Sequence, residues 1–270
     1  MDDYILRPYA PGDRDGCAAL WEQVFGDPAE LVTQFLSLFE AQEGFCLLAE
    51  HSGEIAAAAY SLPGLTVLRP GRPDLPARYL YAVATHPVHR KNGLAAALCR
   101  GLRDDAFVQG ALLLTKPAEP SLYPWYAEKI GVVPAMPCRR VTVTTPCGGD
   151  VTPLTPKQYS TAREARLSGV PHVRLPDALF VWEHLLHKHY GGGFYAVNGG
   201  IADIYAGESL ELPELLADVP EAAVGALLRQ FGAREATACL PGDEEDYISC
   251  AAPDSLTDSL PDVWFGPVFG

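Results

Sequence analysis

The alternation of apolar and polar positions predicts a first half built from strands and helices in a regular order. Short apolar or alternating runs are typical of strands and occur at 4–7, 45–49, 55–62, 78–85, 111–115 and 139–145. Apolar residues at three- and four-residue spacing predict helices at 15–25, 28–39, 93–108 and 121–130. Ser52-Gly53 predicts a hairpin between the second and third strands. The predicted order is β-α-α-β-β-β-α-β-α-β.

The pattern is interrupted at Pro146-Cys147-Gly148-Gly149-Asp150, which predicts a boundary between domains at 1–145 and 151–270. Beyond it the pattern predicts helices at 178–189, 214–217 and 221–231, and strands at 194–197, 201–205, 210–212 and 235–240. The turn Asn198-Gly199-Gly200 joins the first two of these strands into a hairpin. The second half thus repeats, in element order alone, the β-β-β-α-β series of the first. The predicted class is α/β, in its α+β form.

Composition and charge exclude several kinds of protein. The chain has 270 residues, of which 48% are hydrophobic, and this mix is globular. The formal net charge is −14, and residues 201–270 carry 14 acids against only Arg229 and Arg234. A nucleic-acid partner is therefore not expected, because phosphate backbones require a basic face. The seven cysteines include no CxxC pair, which argues against a zinc ribbon or a disulfide framework. With no membrane-length apolar run and no signal-peptide layout, we expect a cytoplasmic protein without a membrane partner.

The candidate chemistry lies where the strand at 78–85 leads through a basic loop into the helix at 93–108. The first amides of a helix lack intrahelical partners and lie at the positive end of its dipole, so they can bind a phosphate. Gly93 and Ala95 keep side-chain bulk away from those amides, and Arg90 and Lys91 add positive charge within an acidic chain. The alternative is an ordinary connection with solvated basic residues. The loop is neither a Walker-type P-loop nor a G-x-G-x-x-G turn.

Arg90-Lys91-Asn92-Gly93-Leu94-Ala95 resembles the R/Q-x-x-G-x-G/A signature of the GNAT superfamily of N-acetyltransferases. The preceding segment, 83–87, resembles the end of that family's splayed fourth strand, and 120–132 resembles its "fYeklGF" segment. Together with the element order, the resemblance covers residues 1–145. It implies a mixed, mostly antiparallel sheet flanked by helices. It also implies that the second, smaller domain is a degenerate GNAT-like copy. Such a domain would line the acceptor cleft or mediate assembly, for example into a homo-oligomer.

The resemblance further implies acetyl-CoA as co-substrate. Its pyrophosphate would bind the loop formed by Arg90, Lys91, Asn92, Gly93, Leu94 and Ala95, and its pantetheine arm and thioester would contact Val83 and Thr85. Tyr126 would act as the general acid that protonates the departing thiolate. Tyr126 also lies on an apolar helical face with Leu122 and Ile130, so core packing is the alternative role, and Tyr123 is then the next candidate.

The implied reaction is direct attack of a primary amine on the thioester within a ternary complex, the acceptor being a small amine or an exposed amino group. The base stays open, because 78–85 contains no carboxylate. Glu50, Glu54 and the Tyr81 hydroxyl are candidates. The carboxylate of Gly270 is another, because the aromatic segment 264–270 resembles the docked terminus of the enhanced intracellular survival proteins. The alternative function is a non-catalytic acyl-CoA-binding or scaffold protein, and a longer acyl donor is also open.

No metal is expected from the sequence. Glu183 and His187 are one helical turn apart, but the order is not H-E-x-x-H and no distant third ligand is evident. A polar helix face explains them better. Gly191-Gly192-Gly193 precedes a strand rather than a helix and is interpreted as a turn.

Overall fold

A computed structural model describes residues 3–253, 263–267 and 269. These residues form two compact units. Unit 1 contains the described parts of Met1–Thr66, Leu75–Pro134 and Ile248–Ser259; unit 2 contains those of Val67–Asp74, Ala135–Tyr247 and Leu260–Gly270. None of the helices in the described part of the chain combines the length and apolar character that crossing a bilayer requires.

The secondary structure is mixed. The strands are β1 (Ile5–Pro8), β2 (Phe45–His51), β3 (Glu54–Leu68), β4 (Leu75–Thr85), β5 (Leu112–Thr115), β6 (Val133–Val143), β7 (Val151–Leu154), β8 (His172–Arg174), β9 (Gly192–Val197), β10 (Gly200–Ala206), β11 (Leu210–Leu216), β12 (Ala236–Pro241) and β13 (Glu245–Ala251). The helices are α1 (Arg14–Phe25), α2 (Ala29–Ala41), α3 (Leu94–Val108), α4 (Tyr123–Ile130), α5 (Pro156–Arg166), α6 (Asp177–Tyr190) and α7 (Pro220–Phe231). The predicted order from β1 to β6 is confirmed, as is the α/β class with mostly antiparallel strands flanked by helices.

Unit 1 has the strand order β1-β2-β3-β4-β5-β13. β1, β2 and β3 are antiparallel, β4 and β5 are parallel through the α3 crossover, and the end of β13 runs antiparallel to β5. The predicted hairpin turn is present: Ser52 and Gly53 have φ of 53° and 84°, the left-handed pair that a type I′ turn requires. The apolar face of α3, with Leu98, Cys99 and Leu102, is fully buried in the core of this unit.

Unit 2 has the strand order β6-β12-β11-β10-β9-β7. Its β11 and β12 are parallel through the α7 crossover, as β4 and β5 are in unit 1. The β-β-β-α-β order expected for the second half is present as β9, β10, β11, α7 and β12. That unit 2 is a degenerate GNAT-like copy stays a prediction.

The helical segment predicted at 214–217 is wrong, because β11 continues through Leu216. Glu214 pairs with Asp203 of β10, and its carboxylate is fully buried against the guanidinium of Arg163 at 3.0 Å. An acid after a proline is typical of a helix start. The partner of Glu214 here is Arg163, which lies 51 residues away in sequence and so cannot be inferred from a local pattern.

The compact units do not divide at 146–150, where the sequence places the domain boundary. β6, expected to complete the first domain, pairs antiparallel with β12, Val141 opposite Ala238, and residues from Ala135 onward lie in unit 2. The chain returns to unit 1 at Ile248, within β13. A strand's own residues specify its two faces but not its neighbour in the sheet, which explains the difference.

The C-terminal aromatic segment belongs to unit 2. Trp264 and Phe265 are 2% and 0% exposed. The Trp264 indole Nε1 donates to Glu214 at 2.6 Å, and Arg163 donates to the Phe265 carbonyl at 2.7 Å. Gly270, a predicted candidate base, lies outside the described residues.

Candidate functional site

The end of β4 departs from regular sheet geometry. Its parallel pairing with β5 joins Ala77–Tyr79 to Leu112–Leu114, after which β4 continues to Thr85 while β5 stops at Thr115. Ala82 has φ of 47°, a left-handed conformation rare for a residue with a side chain and typical of a bulge. Beyond the bulge, on the side facing β5, the main chain of β4 no longer has a ladder partner among the described residues, so its polar groups can serve a ligand.

The loop that follows turns sharply into α3. Lys91 and Gly93 have φ of 66° and 76°, and α3 begins at Leu94. A Cβ built on Gly93 would meet no atom within 4 Å, so the protein itself leaves the space beside this residue open. Glycine is therefore favoured here by its left-handed φ, and any larger side chain would project into the free volume in front of the helix.

The main-chain nitrogens of the loop are available. Within the described residues, no hydrogen bond uses the amide N–H of Lys91, Asn92 or Gly93, and the first helical bond runs from Ala97 N to Gly93 O at 3.0 Å. The first amides of α3 are unpaired as well, as at any helix start. A run of donors therefore faces the same opening, at the positive end of the helix dipole.

A groove of about 490 Å³ lies over these donors. Seven of the eight residues predicted to bind the cofactor line it: Val83, Thr85, Arg90, Lys91, Gly93, Leu94 and Ala95. Sequence reasoning missed Val24, His89, Ala96, Trp125 and Lys129, which complete the lining. Trp125 and Lys129 are four residues apart on α4 and so share one face, a spacing that could have suggested both. The lining includes three basic side chains and no carboxylate, which favours an anionic ligand.

Asn92 is the one predicted cofactor residue that does not line the groove. Its side-chain amide donates to the Tyr4 hydroxyl and to the His89 carbonyl, both at 3.1 Å. The Tyr4 hydroxyl in turn lies 3.0 Å from His89 Nδ1. Asn92 therefore fastens the loop to the N-terminal strand region, and its side chain shapes the backbone whose amides face the groove.

Tyr126 lies behind the groove rather than in its lining. It is 8% exposed and packs in the core cluster with Leu80 and Leu113, and the Trp125 ring meets its ring edge-on at 5.0 Å. Burial, reinforced by Cys99, raises the pKa of the phenol well above its usual value, although Thr115 opposes the shift. The hydroxyl therefore stays protonated, as a proton donor must, and both roles considered from the sequence, core packing and general acid, are compatible with this position.

The candidate bases are placed apart from the groove lining. Glu50 accepts a hydrogen bond from Arg7 Nε at 2.8 Å, and Glu54 is exposed at the hairpin turn. Tyr81 is half-buried in an aromatic cluster, its ring 6.0 Å from Trp21 and 5.5 Å from Phe35. None of the three lines the groove.

Comparison with known proteins gives a consistent result for unit 1. Residues 6–127 match the family model for the acetyltransferase (GNAT) domain. A comparison with curated proteins finds no match.

Among solved structures, the chain resembles a GCN5-related N-acetyltransferase from Kribbella flavida, with a TM-score of 0.65 at 18% identity over 94% of this chain and 72% of the other. A GCN5-related N-acetyltransferase from Anabaena variabilis gives a TM-score of 0.62 at 12% identity, over 92% and 72%. A proposed acetyltransferase from Pyrococcus horikoshii gives 0.61 at 16% identity, over 99% and 95%. At these identities the likeness is one of fold.

The matched segment contains the splayed β4, the loop and the α3 N-terminus. Residues 6–127 are thus similar to the GNAT acetyltransferase domain, and the likeness of the chain to the solved structures is one of fold.

Proposed function

We propose that the protein is an acetyl-CoA-dependent N-acetyltransferase that acts on a primary amine, either a small molecule or an exposed amino group. The observation that carries the proposal is the set of unused amides at 91–93, which lie before α3 in a groove lined by Arg90, Lys91 and Lys129. Backbone donors, a helix dipole and basic side chains together fit a diphosphate, which carries two negative charges in coenzyme A.

The same groove accounts for the rest of the co-substrate. Val83 and Thr85 line it at the end of β4, past the last residues paired with β5. An extended pantetheine arm placed there would pair with main-chain groups that the sheet does not use, much as an added strand does. The thioester carbonyl would then lie near an amide of 83–85, which would stabilise the oxyanion formed during attack.

The chemistry requires no acyl-enzyme. The neutral amine attacks the thioester carbon, the carbon–sulfur bond breaks, and the sulfur leaves as a thiolate that Tyr126 protonates. The ammonium proton passes to water or to a base, and the Tyr126 phenolate takes back a proton from the same source, so the enzyme is regenerated. Much of the rate gain comes from holding both reactants in one cleft. Glu50 is not assigned the role of base, because it is already bound by Arg7. The carboxylate of Gly270 remains a prediction.

A second candidate function is acyl-CoA binding without catalysis. The observation in its favour is that no carboxylate lines the groove and that Tyr126 lies behind it. Such a protein would bind coenzyme A equally well and would release no thiol from acetyl-CoA in the presence of amines.

Binding is tested with Gly93→Glu, which places bulk and negative charge in front of the amides. We expect acetyl-CoA binding in calorimetry to be lost. Gly110→Glu is the matched control: Gly110 has a φ of 67°, also meets nothing within 4 Å, and lies at the opposite end of α3. Equal affinity in the wild type and Gly93→Glu would overturn the assignment. A panel of amines, followed by release of the CoA thiol, then separates the enzyme from the non-catalytic binder.

A further inference from the structure

Unit 2 contains a buried group of three ionisable side chains from two elements. Glu183 and His187 lie one turn apart on α6, and Asp203 comes from β10. His187 Nε2 lies 2.7 Å from Asp203 Oδ1 and 3.6 Å from Glu183 Oε1. The three side chains are 0–2% exposed, so none of them is solvated from bulk water.

These atoms are close together but poorly oriented for hydrogen bonds with one another. Within residues 3–253, 263–267 and 269, no hydrogen bond of good geometry reaches the carboxylate oxygens of Glu183 and Asp203 or the ring nitrogens of His187, although the Tyr205 hydroxyl lies close enough to Glu183 to favour its charged form. Buried polar atoms are nearly always paired, because leaving one unpaired costs about 1–3 kcal/mol. A single cation could bind the carboxylate oxygens together with one of the two His187 nitrogens.

A second buried charge cluster in unit 2, formed by Glu214 and Arg163, differs from the first because its charges are paired. Glu214 and Arg163 are both fully buried, and the carboxylate also accepts hydrogen bonds from Tyr159 at 2.8 Å and Trp264 at 2.6 Å. The buried Glu214 carboxylate therefore has both a cationic partner and two further hydrogen-bond donors. Around Glu183 and Asp203, by contrast, the described residues place His187 as the one basic side chain within ion-pair distance.

The geometry matches what a metal ion requires. One ligand atom from each residue lies within 4.8 Å of the others. Ligand bonds of about 2.0–2.4 Å place atoms on opposite sides of an ion about 4.0–4.8 Å apart. The His187 ring is also held in orientation, edge-on to Phe194 at 4.8 Å and to Tyr205 at 5.0 Å.

We propose that Glu183, His187 and Asp203 bind one divalent first-row transition-metal ion that links α6 to β10. An imidazole nitrogen with two carboxylates suits Zn²⁺ or Mn²⁺ better than Ca²⁺, which prefers oxygen ligands alone. The bound cation offsets the charge of the two buried carboxylates, and water completes its coordination. The sequence showed no third ligand, because Asp203 is separated from His187 by the end of α6 and the whole of β9.

The test uses the full chain, stripped with a chelator and then titrated separately with ZnCl₂, MnCl₂ and CaCl₂. We expect about one Zn²⁺ or Mn²⁺ per chain by elemental analysis, and a rise in Tm of about 5–10 °C at a hundredfold excess over the dissociation constant. Ca²⁺ should give little shift. If none of the three ions is retained or moves the Tm, the proposal is overturned.

Variants separate the proposed site from adventitious binding. His187→Gln and Asp203→Asn should lose the ion and the Tm shift, whereas His189→Gln, an exposed histidine on the same helix, should keep both. If the three residues instead form an ion-free cluster, Asp203→Asn would leave the response to Zn²⁺ and Mn²⁺ unchanged. Co²⁺ supplies an independent readout, since its visible absorption should appear in the wild type and the His189 variant and be absent in the His187 variant.

Discussion

Replacing the buried Arg163 with methionine should destabilise unit 2 strongly. Arg163 is 0% exposed and donates from Nε to both oxygens of Glu214, and from its terminal nitrogens to the carbonyls of Val173 and Phe265. Methionine keeps most of the volume but leaves the Glu214 carboxylate buried without its cation. Breaking a buried pair from one side costs about 3–5 kcal/mol.

The measurement is equilibrium unfolding in urea, with Arg174→Met as the matched control. Arg174 also pairs with a carboxylate, Glu164 at 3.1 Å, but its side chain is 56% exposed, so its loss should cost at most about 1 kcal/mol. The double variant Arg163→Met, Glu214→Gln should recover part of the loss, because the unpaired buried charge is gone. A loss below about 1 kcal/mol in Arg163→Met would refute the reasoning that this cation holds Glu214 and the segment around Phe265 in place.

Three further predictions concern the groove and the pH response. Tyr126→Phe should lower kcat by about 10²–10⁴-fold with little change in acetyl-CoA affinity, whereas Tyr123→Phe should leave kcat near the wild-type value; equal rates for Tyr126→Phe and the wild type would remove the proposed acid. Lys129→Ala should weaken acetyl-CoA binding about fivefold, for a loss of about 1 kcal/mol, and less at high salt; an effect independent of salt would contradict a charge contact. Burial opposes ionisation of Glu164, but hydrogen bonds from His172 and Arg174 lower the pKa of its carboxyl to about 2. The ionised carboxylate should therefore stabilise the folded state above about pH 4.5, and this contribution should be lost as the pH falls toward 2. Glu164→Gln should flatten the acid limb of the Tm profile, and an unchanged limb would contradict this.

The sequence predicted unit 1 well because its signals are local. Helical spacing, short strands and the Ser52-Gly53 turn each depend on a few neighbouring residues, and the element order through β6 follows from them. The conformation of the loop before α3 was also predictable, since a glycine, basic residues and a helix start occur together in one run of chain at 90–95. The side chain of Asn92 lies outside the groove lining, and its partner Tyr4, 88 residues away in sequence, could not be predicted from the loop.

The tertiary structure decided whatever depends on distant partners. β6 pairs with β12, far away in sequence, and Glu214 lies in β11 with its carboxylate paired to Arg163 in the core. Asp203 joins Glu183 and His187 only once α6 packs beside β10. The local sequence pattern determines helix and strand periodicity and the turns. Which distant residues pair depends on burial and charge balance across the whole fold, so a short segment cannot predict those pairs.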